Sequence, residues 1–112
     1  MSNFRKFIQK QDIMPTSEQI LDKLNDVMDP ELNMSITDLG LVYNVDVKNE
    51  KVHILMTLTS LGCPLFDTIQ DEIYHNLEMI GLSQDTVEIE LTFDPPWSID
   101  RMSERAKAML GI

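Results

Sequence analysis

The sequence predicts an α+β fold: a two-layer sandwich in α-β-β-α-β-α order, with a three-stranded mixed sheet carrying its helices on one face. Three observations predict it. An apolar stripe of helical period opens the regular part of the chain. Two runs of period 2 then flank the short polar turn Asn49-Glu50. A second helical stripe separates that hairpin from a third alternating run. The chain has 112 residues, 43% of them hydrophobic, which suits one domain with one small core. Glycine and proline fall between these elements and mark their ends.

Each element has a local cause. Residues 1–15 form a polar N-terminal arm, read as a mobile segment or a short helix, with Phe4, Phe7 and Ile8 loosely at helical spacing. Residues 16–112 form the domain. Thr16-Ser17-Glu18-Gln19 is a capping-box pattern. Ile20, Leu21, Leu24, Val27 and Met28 share one helical face, and Pro30 stops the helix because Asp29 before it is biased away from helical geometry. Asp29 to Gly40 is a twelve-residue loop without periodicity, long for so small a domain. In the first strand Leu41, Tyr43, Val45 and Val47 face one way. In the second, Val52, Ile54, Met56 and Leu58 oppose His53, Leu55, Thr57 and Thr59. A helix over about Pro64–Ile80 follows, striped by Leu65, Ile69, Ile73, Leu77 and Ile80 and ended by Gly81. Thr86–Phe93 is the third strand, with Val87, Ile89, Leu91 and Phe93 inward. Ile99–Leu110 is a final helix. Met28, Met56, Met102 and Met109 fall on core faces.

Composition narrows the function. The formal charge of −10 argues against phosphate-backbone binding, so no nucleic acid is expected, and equally against an anionic membrane surface. No apolar run reaches the ~20 residues of a membrane span. No signal-peptide core is present, so the expected location is cytoplasmic. A single cysteine rules out an internal disulfide and an all-cysteine metal site within one chain.

Topology places a site. If the helix between strands two and three makes the usual right-handed crossover, those strands run parallel. Then three irregular segments share one sheet edge: Asp29–Gly40, Ser60–Pro64 and Asp94–Trp97. Ligand sites in α/β structures favour such strand carboxyl ends. Cys63 stands there at the start of a helix whose first residue is Pro64. Orphan amides and the positive dipole end favour its thiolate, which points to a reactive or metal-binding thiol. The other fate of a free cysteine is a small buried hydrophobe.

Neither histidine can join Cys63 on one ion. His75 is about 18 Å up the following helix, and His53 lies roughly 30 Å back along an extended strand. Both read as solvated surface residues, and a Cys-His nucleophile pair fails for the same reason. Oxygen ligands are nearer: Asp29, Glu31, Asp38 and Asp94. A cysteine-plus-carboxylate site is one arrangement, and a site shared by two chains is another. For the three aspartates the competing reading is loop and cap chemistry, satisfying backbone amides.

The same segments carry a resemblance. Asp29-Pro30-Glu31, Thr37-Asp38-Leu39-Gly40-Leu41-Val42-Tyr43, Thr57-Leu58-Thr59 with Gly62-Cys63-Pro64, and Asp94-Pro95-Pro96-Trp97 together resemble the small metal–sulfur cluster assembly family, in its SufT-like form. The resemblance covers about residues 16–111, with no departure inside the motifs. It implies a non-enzymatic accessory factor in maturing iron–sulfur proteins: a carrier, adaptor or targeting factor. Its implied site is centred on Cys63, as the ligand of a transient iron–sulfur cluster or of iron, with Asp29, Glu31 and Asp94 completing or tuning it. Thr57 and Thr59 would wall the site, and Asp38, Gly40, Gly62, Pro64, Pro95, Pro96 and Trp97 would form the motif edge. The implied partners are iron–sulfur assembly proteins and apo client enzymes, with a homodimer as one source of further ligands. A related branch serves as an accessory subunit of a phenylacetate-degrading oxygenase; the stand-alone domain and intact Asp94-Pro95-Pro96-Trp97 fit the SufT-like branch better. A purely protein-binding module, with Cys63 structural, is the alternative.

Overall fold

The computed structural model describes residues 15–59 and 66–112. The expectations for the N-terminal arm, a mobile segment or a short helix, and for Gly62, Cys63 and Pro64 lie outside them. The described chain runs α1 (Ser17–Leu24), β1 (Met28–Asp29), β2 (Met34–Ser35), β3 (Val42–Lys48), β4 (Lys51–Met56), α2 (Phe66–Glu78), β5 (Val87–Leu91) and α3 (Glu104–Leu110). The principal sheet has the order β3-β4-β5, antiparallel between β3 and β4 and parallel between β4 and β5. Strands β4 and β5 are therefore parallel, as expected, and β4 lies in the centre.

The capping box forms as expected. The Gln19 amide donates to Thr16 Oγ1 at 3.1 Å, and the Thr16 amide donates to Gln19 Oε1 at 2.9 Å. Ile20 and Leu24 of α1, Ile69, Ile73 and Leu77 of α2, and Val52, Ile54 and Met56 of β4 join one buried cluster. Burying these side chains supplies the main driving force for folding. No helix among the described residues is long and apolar enough to cross a membrane.

Six details differ from the sequence reading. First, α1 ends at Leu24 rather than running to Asp29. The Asp26 and Val27 amides donate to carbonyls three residues back, so the last turn tightens and swings Met28 outward to 39% exposure. Second, the aperiodic loop contains a two-stranded ribbon, with Met28 opposite Ser35 and Asp29 opposite Met34. Strands of two residues are too short to show a period. Third, a bulge in β3 falls between Val42 and Asn44, so Val42 rather than Tyr43 shares the core face with Val45 and Val47. Fourth, Leu91 is 36% exposed at the open end of edge strand β5, and Thr57 is fully buried although alternation placed it outside. Fifth, the last helix is two pieces: a single 3₁₀ turn at Ile99–Arg101, then α3 restarted by a Ser103 N-cap. That break leaves Met102 buried but Met109 63% exposed, so Met28 and Met109 are not core residues. Sixth, His53 is half-buried on the outer sheet face, with Nε2 2.7 Å from Glu90 Oε1, rather than simply solvated.

Candidate functional site

The strand register sets the geometry of the edge. Val42, Met56 and Leu91 lie in one row across the sheet. Beyond that row the Thr57 amide donates to the Leu41 carbonyl, and the Thr92 amide to the Met56 carbonyl, both at 2.8 Å. The turn before β3, the segment leaving β4 and the segment leaving β5 thus meet at one end of the sheet. The chain passes into residues 60–65 from this edge.

Two of the motif segments lock together. Trp97 Nε1 donates to the Leu39 carbonyl at 2.6 Å. The Tyr43 hydroxyl donates to the Pro95 carbonyl at 2.8 Å, and the Arg101 guanidinium stacks 4.5 Å from the Tyr43 ring centre. Asp38 receives three bonds from the start of α3. The Ser103 amide donates to its carbonyl at 2.7 Å, the Ser103 hydroxyl to Oδ1 at 3.1 Å and Arg105 to Oδ2 at 2.9 Å. Ser103 Oγ also accepts the Ala106 amide, capping the helix. Gly40 sits under this lid with φ +76°, and a Cβ there would stand 2.2 Å from the Arg101 carbonyl oxygen. The Asp-Leu-Gly turn and the Asp-Pro-Pro-Trp segment are therefore halves of one clasp. Asp38, Gly40, Pro95 and Trp97 build the edge mechanically, and Pro96 is exposed beside them.

The acidic motif has its own architecture. Asp29 is buried at 4% exposure, and its Oδ1 accepts the amides of Glu31 at 2.7 Å and Leu32 at 3.0 Å. Its carbonyl accepts the Asn33 amide at 2.7 Å, closing the turn between β1 and β2. This is the loop chemistry that competes with a ligand role for Asp29. Glu31 and Asp94 are exposed. The Asp94 amide donates to Thr92 Oγ1 at 3.2 Å, and the Thr92 hydroxyl donates back to the Asp94 carbonyl at 3.3 Å. That leaves the Asp94 carboxylate outside both bonds.

Thr57 and Thr59 flank the start of residues 60–65. Thr59 is half-buried. Thr57 is fully buried, and its hydroxyl has no hydrogen-bond partner among the described residues. A buried hydroxyl without a partner costs free energy. Among the described residues no three His, Asp or Glu side chains converge closely enough to hold a metal ion.

Sequence reasoning missed Tyr43, Arg101 and Ser103 as parts of the clasp. Ser103 had a readable signal, an N-cap residue just ahead of Glu104. Tyr43 had none, because strict alternation assigned it to the core and only the bulge frees it.

Comparison with known proteins agrees with this architecture. Residues 17–91 match the family model described as iron–sulfur cluster assembly protein. The chain is 47% identical over 96 residues to the Fe-S protein maturation auxiliary factor YitW of Bacillus subtilis, covering 85% of this chain and 93% of that protein. It is 47% identical over 87 residues to the Fe-S protein maturation auxiliary factor SufT of Staphylococcus aureus, covering 77% and 98%. The crystal structure of a domain of unknown function from Bacillus anthracis superposes with a TM-score of 0.78 at 37% identity, covering 86% of this chain and 92% of that one.

Proposed function

Because the chain belongs to the iron–sulfur cluster assembly protein family, we propose that it is a non-enzymatic accessory factor in the maturation of iron–sulfur proteins. It works in the cytoplasm, between iron–sulfur assembly proteins and apo client enzymes, with Cys63 as the thiolate that holds iron or a cluster in transit. The observation that supports this reading best is the register. It brings the turn before β3, Thr57-Leu58-Thr59 and the segment leaving β5 to one end of the sheet, and Cys63 follows Thr59 by four residues in the sequence.

The cluster is cargo. Iron–sulfur clusters generally take about four protein ligands, and this chain has one cysteine. The other ligands come from a second copy, an external thiol or the client's own cysteines. A single thiolate is readily exchanged, which suits transfer over storage. Each incoming cysteine loses its proton on coordinating, so delivery is favoured where client thiols ionise.

The other residues divide by role. Gly62 and Pro64 flank Cys63 in the sequence. Glu31 and Asp94, exposed carboxylates, complete or tune the iron site. Asp29 contributes through the turn that its Oδ1 fixes. Thr57 and Thr59 form the wall. Asp38, Gly40, Pro95, Pro96 and Trp97 hold the edge in shape through the clasp.

The test is aconitase activity per aconitase molecule in a deletion strain carrying either wild-type protein or Cys63→Ser at equal abundance. Failure of Cys63→Ser is expected. Full rescue would overturn the thiol's role and leave an adaptor with a structural Cys63. Substitutions at Asp38 or Trp97 do not separate these readings, because both residues hold the edge that either reading uses.

A further inference from the structure

β5 is an edge strand: β4 pairs with one side of it, and no strand among the described residues pairs with the other. The register fixes which backbone groups face outward. The Thr92 amide donates to the Met56 carbonyl, so in this parallel ladder Glu88, Glu90 and Thr92 turn their backbone groups toward β4. Ile89 and Leu91 alternate with them and turn their amides and carbonyls away. None of these outward groups has a backbone partner among the described residues. We propose that this edge takes up an extended, basic segment of a partner protein by strand addition, with apolar residues alternating with Lys or Arg along that segment.

The two faces of β5 set that pattern. Side chains alternate across a sheet, and those of an added strand fall beside their neighbours on the same face. Glu88 and Glu90 are exposed on the outer face, so positions beside them suit Lys or Arg. Val87, Ile89 and Leu91 belong to the inner face, where Leu91 is exposed at the rim. Apolar residues beside Ile89 and Leu91 extend that face and cover Leu91. In strand addition the main-chain bonds give affinity and the alternating side-chain positions give specificity.

Sheet edges invite uncontrolled pairing and are commonly blunted by lysine, proline or a bulge. β5 has neither lysine nor proline, and its register with β4 is unbroken. The opposite edge strand, β3, has both a bulge and α1 packed against it. The glutamates of β5 select among partners. A second copy paired antiparallel would set Glu88 and Glu90 against the same two residues, and like charges across strands repel. A basic segment meets attraction instead, and the net charge of −10 draws it in. His53 Nε2 lies 2.7 Å from Glu90 Oε1 but 3.9 Å from Glu88 Oε1, so Glu88 is the freer of the two. β5 ends in the row that borders the candidate edge, so a segment paired here is held next to that edge; this use rests on the reading of the chain as a maturation factor.

Amide hydrogen exchange on the full chain, with an acetylated and amidated peptide alternating valine and lysine, tests the proposal. The Ile89 and Leu91 amides are expected to exchange rapidly in the free chain at every protein concentration, and at least about tenfold more slowly with the peptide. Two further peptides, N-methylated on the valines or on the lysines, cover both strand directions. At least one is expected to lose the protection, and retention by both overturns backbone pairing. The counterpart peptide with glutamate for lysine is expected to give no protection, and Glu88→Lys with Glu90→Lys to exchange the behaviour of the two charged peptides. Slow exchange of both amides in the free chain at all concentrations would mean that the chain covers this edge itself, and slow exchange only at high concentration would mean a second copy. Either result overturns the proposal. So does equal protection by the glutamate peptide, and so does no protection by the lysine peptide at about 1 mM. None of these readouts involves Cys63 or iron, so this proposal and the maturation reading fail separately.

Discussion

Gly40→Ala isolates what the clasp contributes. A Cβ at Gly40 would lie 2.2 Å from the Arg101 carbonyl oxygen, 2.7 Å from its carbonyl carbon and 2.8 Å from its Cβ. Two of these neighbours are backbone atoms, so no rotamer change relieves the contact. The left-handed conformation itself costs alanine about 1 kcal/mol. Relief requires the Ile99–Ser103 segment to move about 1 Å, the shortfall from an ordinary van der Waals contact. That shift breaks or lengthens the Trp97–Leu39 and Ser103–Asp38 bonds, worth about 1 kcal/mol each. The total is about 3 kcal/mol, or a Tm lower by roughly 12 °C at about 4 °C per kcal/mol for a domain of this size. Gly81 and Gly111 supply an internal control. Both have positive φ, +92° and +77°, but a Cβ at either meets nothing within 4 Å. Their alanine variants therefore cost only the conformational strain, about 1 kcal/mol. Urea denaturation followed by circular dichroism compares the three. If Gly40→Ala falls within about 0.5 kcal/mol of Gly111→Ala, which is the scatter of mutational additivity, the argument that the clasp is rigid and closely packed fails.

Three further predictions follow from particular groups. Trp97→Phe removes the donor to a carbonyl on a fully buried residue and is expected to cost about 1–3 kcal/mol in the same denaturation assay; an unchanged midpoint would mean that Leu39 finds another donor. Thr57→Val removes the orphan hydroxyl and is expected to leave stability unchanged or raise it by up to about 1 kcal/mol, while lowering aconitase maturation in the deletion strain. Asp85 has its carboxyl held below the ordinary range by the Ser83 hydroxyl, then by a backbone amide, with Lys51 a smaller contributor. A lowered folded pKa stabilises above the unfolded value, near 4, and that contribution disappears as pH falls through the folded value. The stability difference between wild type and Asp85→Asn should therefore shrink from pH 5 toward pH 2, and a difference that grows on acidification contradicts the assignment.

The elements most legible in the sequence were those with long periods or named caps. The α1 start was readable from Thr16 and Gln19, the hairpin from the alternation around Asn49-Glu50, and α2 from Ile69, Ile73 and Leu77. The common edge was readable too, because a helix between two strands nearly dictates a parallel pair. The ribbon of β1 and β2 was not, since two-residue strands are held by turn bonds from Asp29 rather than by a pattern. The Tyr43 bulge was hidden for a related reason. A bulge shifts which face a side chain takes without altering composition, and the partner that Tyr43 then meets, the Pro95 carbonyl, lies 52 residues away.

That distance also explains why motif residues with different roles look alike in sequence. Asp29, Asp38 and Asp94 all precede or adjoin turns, and all were candidates for iron. In the fold they separate by what their oxygens already do. Asp38 spends both carboxylate oxygens on the start of α3, and Asp29 spends Oδ1 on two amides. Asp94 forms its local bonds through backbone atoms alone. A carboxylate bound to internal donors must give them up before it can serve as a ligand, at a cost of the order of 1–3 kcal/mol for each donor left unsatisfied. Were iron the cargo, as proposed, Asp94 would be the aspartate of the three that approaches it at least cost. Asp38 contributes most where it stands, keeping the edge closed beneath the clasp.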